Sequence, residues 1–452
     1  MYLPREVSVA LIRLADLIQR RQVWAAYRSL EASQWWDAGR LHEFQMRKRR
    51  ERVQDLAKRS PLVRKRMQQS GIEPASIRAV EDLARLPVLE KDDLRHRAAA
   101  LMARGLSPGD VRRWSSGGST GSNVSFFVDR GGWRQRDATM LRMLNFLGLG
   151  PGARMVTIWG QPWDLQIGRL WKERIRRGIE NRHLFSAYRL SQDELDAILE
   201  WLGRNRLDIL MGFTSIIDHL ARRAIQRGGM EGPRYIISCA EALFPDQRRR
   251  MESAWDTQVF NQYGCREFGV LGMECPERAG LHLMDERVIV ERIDGGANGL
   301  GEVLITDLDN RATPFLRYRI GDQAMAGESG PCPCGRGLSR LGDVSGRTFD
   351  IIRGPSGRAV GGTFFSVLLR TGVKGVESFQ IVQQSLDLIE VRVAPTGSLD
   401  SAARLKVTGE IRKALGESIR VEFTEVARMD PLPSGKHRFV VAMPGTGAGE
   451  SR

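Results

Sequence analysis

The sequence predicts an α/β protein, in which a large N-terminal α/β domain carries a β-rich subdomain and a small C-terminal α+β domain follows. Three observations predict it. Short β-branched runs alternate with amphipathic helical stretches between about residues 111 and 346, the strand spacing shortens after Gly280, and a glycine-rich junction precedes a module with its own strands and helix. Strands that alternate with helices are covered on both faces, which is the environment of a mostly parallel sheet. The division that follows is a helical region at 1–100, the large domain at 101–346, the small domain at 347–445 and a disordered tail at 446–452.

The elements follow in order. Val9, Leu11, Ile12, Leu14, Leu17 and Ile18 share one helical side. Ser60-Pro61 supplies an N-cap and a proline at the first helical position of a later helix, which Gly71 can end. Around that start, between Arg40 and Arg66, lies the densest positive run of the chain, just behind Trp35 and Trp36. It reads as a solvated helix face with aliphatic stems packed below, with a lipid or nucleic-acid surface as the rival reading. Met155 to Ile158, Ile209 to Met211, Tyr235 to Ile237 and Val259-Phe260 read as buried strands, beside helices at Ser191 to Trp201 and Ser215 to Gln226. Arg287 to Glu291 and Gly301 to Thr306 read as antiparallel strands about a turn at Asp294 to Gly299. Behind the glycine-rich junction come a helix at Thr363 to Thr371, strands at Ser378 to Gln383, Leu388 to Val393 and Ile419 to Phe423, and a helix at Ser401 to Leu415.

Composition narrows the class. With 42% hydrophobic and 27% charged residues over 452 positions, the chain is no disordered polymer. Its net charge of +15 favours anionic partners: nucleic acid, an anionic membrane surface or a nucleotide. Five cysteines are too sparse for a secreted disulfide scaffold, and no start of the signal-peptide kind is present, so a reduced cytoplasm is expected. Arg13 and Asp16 interrupt the apolar opening, and no stretch reaches the roughly 20 apolar residues of a membrane span.

Trp114-Ser-Ser-Gly-Gly-Ser-Thr-Gly-Ser-Asn123 carries the strongest local signal. Glycines at Gly117, Gly118 and Gly121 with hydroxyls at Ser115, Ser116, Ser119 and Thr120 let backbone N–H groups and side chains turn around phosphate oxygens; a flexible surface loop is the alternative. No Lys follows Gly121, so this is not a Walker loop. Downstream come Asn261-Gln-Tyr-Gly-Cys-Arg-Glu267, Phe315-Leu-Arg-Tyr-Arg-Ile-Gly-Asp322, Gly346-Arg-Thr-Phe-Asp350 and Pro433-Ser-Gly-Lys436.

In this order, over about residues 80–440, the segments resemble the adenylate-forming (AMP-binding) superfamily. Ser60-Pro-Leu-Val-Arg64 and Leu86-Pro-Val-Leu-Glu-Lys-Asp-Asp-Leu94 resemble its phenylacetate-CoA ligase family, and Tyr-Gly-Cys-Arg-Glu267 with Gly-Arg-Ala-Val-Gly-Gly362 its capsule and exopolysaccharide branch. The resemblance implies the adenylate-forming fold with a mobile small domain, and ATP-dependent activation of an aryl or acyl carboxylate as acyl-AMP followed by transfer to CoA. The alternative is a CoA-independent adenylyl- or acyltransferase of surface-polysaccharide assembly. It also implies roles. Ser115 to Gly121 would hold phosphates. Ala240, Glu241, Tyr263 and Gly264 would frame adenine, where an aromatic face can stack. Asp322 and Arg347 would meet the ribose, Glu267 would hold Mg²⁺, and Lys436 would be the catalytic lysine, set against charge developing at the α-phosphate. Bland readings stand beside these: a core tyrosine, a helix-capping glutamate, solvated loop charges. Trp159, Trp163, Phe213 and Cys239 are pocket candidates by position, with ordinary core packing as their alternative.

Three positions depart from the family pattern: Phe349 replaces a small or charged hinge residue, the phosphate loop lacks a closing Lys-Pro, and Arg266 replaces Thr before Glu267. A second constellation, Cys275, His282, Cys332 and Cys334, is the donor set of a structural zinc site, with unliganded thiols as the alternative. The partners expected are a small carboxylate, ATP and CoA, without nucleic acid; the oligomeric state stays open.

Overall fold

The computed structural model describes residues 2–73, 76, 82, 84–94, 102–116, 124–159, 171–186, 192–293, 299–347, 352–355, 359–360, 365, 368–369, 376–395, 400–427, 429 and 440–441. The chain divides into two compact units, Met1–Ile320 with Met325–Asp343, and Gly321–Ala324 with Val344–Arg452. The N-terminal helices group with the first unit. The expected helix at Thr363 to Thr371, the turn at Asp294 to Gly299 and the tail fall wholly or mostly outside the described residues.

Four helices open the chain: α1 (Arg5–Ile18), α2 (Val23–Ser33), α3 (Ala38–Arg59) and α4 (Pro61–Gln69). Ser60 closes α3 and caps α4, its buried hydroxyl accepting from the Val63 N–H at 3.4 Å. Gly71 then takes φ +62°, which lets its own N–H reach Gln68 O at 3.1 Å and the Ile72 N–H reach Met67 O at 2.9 Å, so the last carbonyls of α4 are satisfied. Ile72 and Met67 join Val53, Leu56 and Val63 in one apolar cluster. The positive run on α3 is not wholly solvated. Arg49 and Arg52 are buried, and Asp55, Asp129, Asp307 and Asp309 surround Arg52. Their carboxylates offset the cost of taking a cation out of water.

The strands and helices that follow are β1 (Val111–Ser116), β2 (Val124–Asp129), α5 (Arg130–Phe146), β3 (Met155–Trp159), α6 (Trp171–Ile179), β4 (Arg182–Ser186), α7 (Gln192–Arg204), β5 (Ile209–Phe213), α8 (Thr214–Gln226), β6 (Tyr235–Cys239), α9 (Pro245–Trp255) and β7 (Gln258–Cys265). Then come β8 (Gly269–Glu274), β9 (Leu281–Leu283), β10 (Val288–Ile293), β11 (Gly301–Asp307), β12 (Tyr318–Ala326) and β13 (Arg340–Arg347). β1 and β2 make an antiparallel hairpin. The others join one 11-stranded sheet in the order β10-β11-β12-β13-β9-β8-β7-β6-β5-β3-β4. Its half from β7 to β4 is parallel, as the alternation of strand and helix predicts. The closely spaced strands after Gly280 add to this same sheet, with β7-β8, β8-β9 and β10-β11 antiparallel.

The inner parallel strands β5 and β6 are almost wholly buried, while the edge strand β4 is only partly so. Val156, Ile158, Leu210, Ile236 and Val259 pack against Leu199, Ile217, Leu220 and Met251 from the helices, in one continuous core. The second unit has β14 (Ile352–Arg353) paired with β15 (Ala359–Val360), and a sheet ordered β18-β17-β16-β19 from β16 (Val376–Ser385), β17 (Leu388–Pro395), β18 (Arg420–Glu425) and β19 (Val440–Val441). The helix α10 (Ser401–Leu415) connects the parallel neighbours β17 and β18 and buries Val407, Ile411 and Leu415 against Phe379, Ile381, Val391 and Val393.

Candidate nucleotide site and cysteine–histidine cluster

The parallel strands end together. Phe213, Cys239 and Gln262 are in register on β5, β6 and β7, with Trp159 closing β3. This C-terminal edge is where open α/β sheets bind ligands. Trp159 and Phe213 stack with ring centroids 4.7 Å apart and planes 15° apart, and Phe213 is buried. The buried Cys239 thiol donates to Gly212 O at 3.3 Å. Trp163 lies outside the described residues.

Just past β6, Ala240 takes φ +65°, a left-handed conformation that L-residues with a Cβ adopt at a cost. The turn it makes lets the Glu241 carboxylate accept from the Ser215 N–H at 2.7 Å, capping α8, while Glu241 O accepts from the Thr214 hydroxyl at 3.3 Å. Thr214 and Ser238 hydroxyls meet at 2.6 Å across the ends of β5 and β6. The Glu241 side chain thus acts as a helix cap.

Tyr263 and Gly264 stand at the end of β7, where the ladder to β8 shifts register between them. A Cβ on Gly264 would lie 2.5 Å from Gly269 O, and Gly269 itself takes φ +73°, so this tight hairpin requires both glycines. Tyr263 is buried, and so is Glu267 in the turn. Arg136, from α5, donates to Arg266 O at 2.9 Å and to Glu267 O, and Arg287 donates to Phe268 O at 3.2 Å. Burial pulls the Arg136 guanidinium down to about 10, which leaves it charged near neutrality. Arg266 in turn donates to Ser115 O at 3.3 Å. The carboxylate-bearing turn thus adjoins the strand that leads into the Ser/Gly run. Nothing in the local sequence marks Arg136 or Arg287 as a support of the turn. Arg136 sits in a helix with Arg130, Arg134 and Arg142, and only the fold aims it there.

Ser115 and Ser116 end β1; Gly117, Gly118, Ser119, Thr120 and Gly121 lie outside the described residues, as does Lys436. Asp322, on β12, and Arg347, at the end of β13, belong to the second unit.

The cysteine–histidine cluster is assembled from distant segments. Ligand atoms of Cys275, His282, Cys332 and Cys334 all lie within 4.8 Å of one another. Cys275 Sγ is 3.7 Å from Cys332 Sγ, and Cys334 Sγ is 3.3 Å from His282 Nε2. A tetrahedral ion with metal–sulfur bonds of about 2.3 Å sets its sulfurs about 3.8 Å apart, so the donor spacing fits. Burial pushes the Cys275 thiol up to about 12 and the His282 imidazole down to about 4, as expected of soft donors crowded in a dry site. The loop carrying Cys332 and Cys334 is fastened to the α2–α3 connection: Gly337 N–H donates to Gln34 O at 3.0 Å, and Arg336 reaches Gln34 Oε1 at 2.9 Å while covering the rings of Trp35 and Phe146. Trp35, read beside the basic run, serves this junction, whereas the Trp36 ring packs against Phe44 and Arg40 of α3.

Residues 352–443 match the CapK C-terminal domain family. Over 369 residues the chain is 23% identical to Protein CapK of Staphylococcus aureus, covering 80% of each chain, and over 373 residues it is 26% identical to the phenylacetate-coenzyme A ligase of Thermus thermophilus, covering 78% of this chain and 81% of that one. A crystal structure of 2-hydroxyisobutyryl-CoA ligase in the postadenylation state superposes with a TM-score of 0.73 at 20% identity, over 91% of both chains. The fold is that of the adenylate-forming enzymes. In sequence the chain is similar to CapK and to the phenylacetate-CoA ligases.

Proposed function

We propose that the protein activates an aryl or acyl carboxylic acid with ATP, forming an acyl-adenylate and pyrophosphate, and then transfers the acyl group to CoA. The observation that carries this reading is the Arg266–Ser115 hydrogen bond, which joins the phosphate-loop strand to the turn that bears Glu267. In the first step a carboxylate oxygen attacks the α-phosphorus, the bond to the β-phosphate oxygen breaks, and pyrophosphate leaves. In the second the CoA thiolate attacks the acyl carbonyl and AMP leaves.

Ser115, Ser116, Gly117, Gly118, Ser119, Thr120 and Gly121 surround the phosphates in this reading. Ala240, Glu241, Tyr263 and Gly264 frame adenine, with Glu241 acting through its backbone because its carboxylate caps α8. Asp322 accepts from the ribose hydroxyls beside Arg347. Glu267 holds Mg²⁺, which screens phosphate charge, and Lys436 offsets charge that accumulates at the α-phosphate. Trp159 and Phe213 wall the acid pocket. Cys275, His282, Cys332 and Cys334 hold a structural zinc ion; the spacing of their donors supports it. Among the described residues no helix is long and apolar enough to cross a membrane, which fits a cytoplasmic enzyme.

The CapK C-terminal domain match favours a second reading, an adenylyl- or acyltransferase of exopolysaccharide assembly that uses no CoA. A screen of aryl and fatty acids for pyrophosphate release, with products resolved with and without CoA, separates the two. An acyl-CoA product supports the ligase; adenylate that accumulates unchanged when CoA is added supports the transferase; no pyrophosphate with any acid, or with ATP alone, removes both.

A further inference from the structure

We propose that α1 and α6 carry a face that docks the protein on an anionic lipid surface, lying on the bilayer without spanning it and independently of the ATP reading above. Periodicity places Leu11, Ile12, Leu14, Leu17 and Ile18 on one helical side, and the structure divides them. The inward side of α1 meets α6 and the turn behind it: the buried Ser8 hydroxyl donates to Ile179 O at 2.5 Å, and the Leu3 N–H donates to Asn181 Oδ1 at 2.8 Å. Leu11, Ile12 and Ala15 are half-buried. Val7, Leu14, Leu17 and Ile18 instead face water, with Leu17 74% and Ile18 71% exposed. At about 100° per residue these four fall within an arc of about 100°, which makes them one outward stripe.

The neighbouring helix repeats the pattern. α6 buries none of its residues, and Trp171 and Ile175, one turn apart, are 66% and 52% exposed. Single apolar side chains at a surface are ordinary, whereas outward stripes on two helices in contact mark an interaction face.

Charge says what covers it. Arg13 and Arg20 border the stripe of α1, Lys172 and Arg174 stand on either side of Trp171 and Ile175, and all four are exposed. The acids of these helices are mostly turned inward. The Asp16 carboxylate accepts from the Val23 and Trp24 N–H groups at 2.9 Å each, and Glu173 pairs with Arg176 at 2.7 Å; Glu6 stands at the first turn of α1. An apolar stripe with a cationic border suits a bilayer whose headgroups are anionic: leucine and isoleucine enter the acyl boundary, tryptophan sits at headgroup level, and arginine and lysine meet phosphate. A second copy of the chain fits less well, because a two-fold contact sets the same face against itself and brings the four cations toward their own copies.

Sedimentation of the full-length protein with vesicles tests the assignment, using phosphatidylcholine alone and phosphatidylcholine mixed with phosphatidylglycerol. Light scattering without lipid reports the oligomeric state, and thermal melting checks folding. Wild type should bind the mixed vesicles, bind the neutral ones far more weakly, and be released by salt. Leu17→Ser/Ile18→Ser should lower the partition coefficient at least about 30-fold, since two large apolar side chains no longer enter the bilayer. Arg13→Gln/Arg20→Gln should lower it about 10- to 30-fold, at roughly fivefold per charge. Arg47→Gln/Arg50→Gln, on the basic run of α3, should leave it within about 3-fold. No binding to anionic vesicles, equal binding to neutral ones, binding that survives Leu17→Ser/Ile18→Ser, or binding lost only in the α3 variant each overturns the proposal. A lipid-free dimer that Leu17→Ser/Ile18→Ser dissociates would assign the face to a second copy and overturn it as well. If Leu17→Ser/Ile18→Ser does not fold, Arg13→Gln/Arg20→Gln decides, with unchanged vesicle binding counting against the proposal.

Discussion

Ala240 is the residue at which local strain and the candidate site coincide. Its φ of +65° carries a Cβ into the left-handed region at the end of β6, beside the segment expected to frame adenine. Ala240→Gly should stabilise the first unit by about 0.5–1 kcal/mol, the gain from removing the Cβ clash less the added freedom of the unfolded chain. Urea unfolding checks it, and a loss of stability would mean that the Ala240 methyl packs productively. Motif residues stand out one by one in the sequence because their types match the chemistry proposed for them: hydroxyls and glycines for phosphate, carboxylate for a hard cation. Arg136 and Arg287 were not, since an arginine that donates to a backbone carbonyl has no sequence signature. Glu241 was expected to frame adenine, and its carboxylate caps a helix 26 positions away in sequence.

At the scale of elements, strands and helices followed from periodicity, and their ends from capping chemistry: α10 spans Ser401 to Leu415 as expected, and Ser60-Pro61 starts α4. Less legible was the partnership between elements. The strands after Gly280 look self-contained in sequence, but β9 pairs with both β8 and β13, which only the order of the sheet reveals. The Cys332–Cys334 loop depends in the same way on α2 and α3. If zinc staples it, purified protein should carry about one equivalent of zinc by mass spectrometry, and Cys334→Ser should lose most of it and lower the melting temperature of the first unit by several degrees. Metal-free wild type with an unchanged melting temperature would speak for free thiols.

β17 gives a pH prediction of its own. Hydrogen bonds from Arg392, Thr424 and Gln384, each at 2.8 Å, hold Glu390 down to about 2 against its usual 4.5. The fold thus favours the ionised form, whose contribution is complete above about pH 4.5 and is lost as pH falls toward 2. Glu390→Gln should make the second unit less stable at pH 7 and narrow that difference between pH 4.5 and 2. Hydrogen exchange along β16 and β17 measures it; a difference that stays constant over this window contradicts the sign.

For the whole molecule, the charge of +15 was the least specific observation, and the fold has divided it among several roles. Arg52, Arg142 and Arg287 are buried with carboxylates or carbonyls around them, so part of the excess builds the interior and does not face partners. Arg13, Arg20, Lys172 and Arg174 border the face proposed to meet anionic lipid. The ordered motifs and the superposition over 91% of both chains agree on the architecture, whereas the acid that the proposed enzyme would take is a matter of pocket shape that no motif encodes. The most direct test of the central claim is carboxylate-dependent exchange of labelled pyrophosphate into ATP, run on wild type and Lys436→Ala across a panel of aryl and acyl acids. The account predicts exchange only when a cognate acid is present, and a fall of at least about 100-fold in Lys436→Ala with ATP binding retained. Exchange that ignores the acid, or that survives in Lys436→Ala, would contradict it.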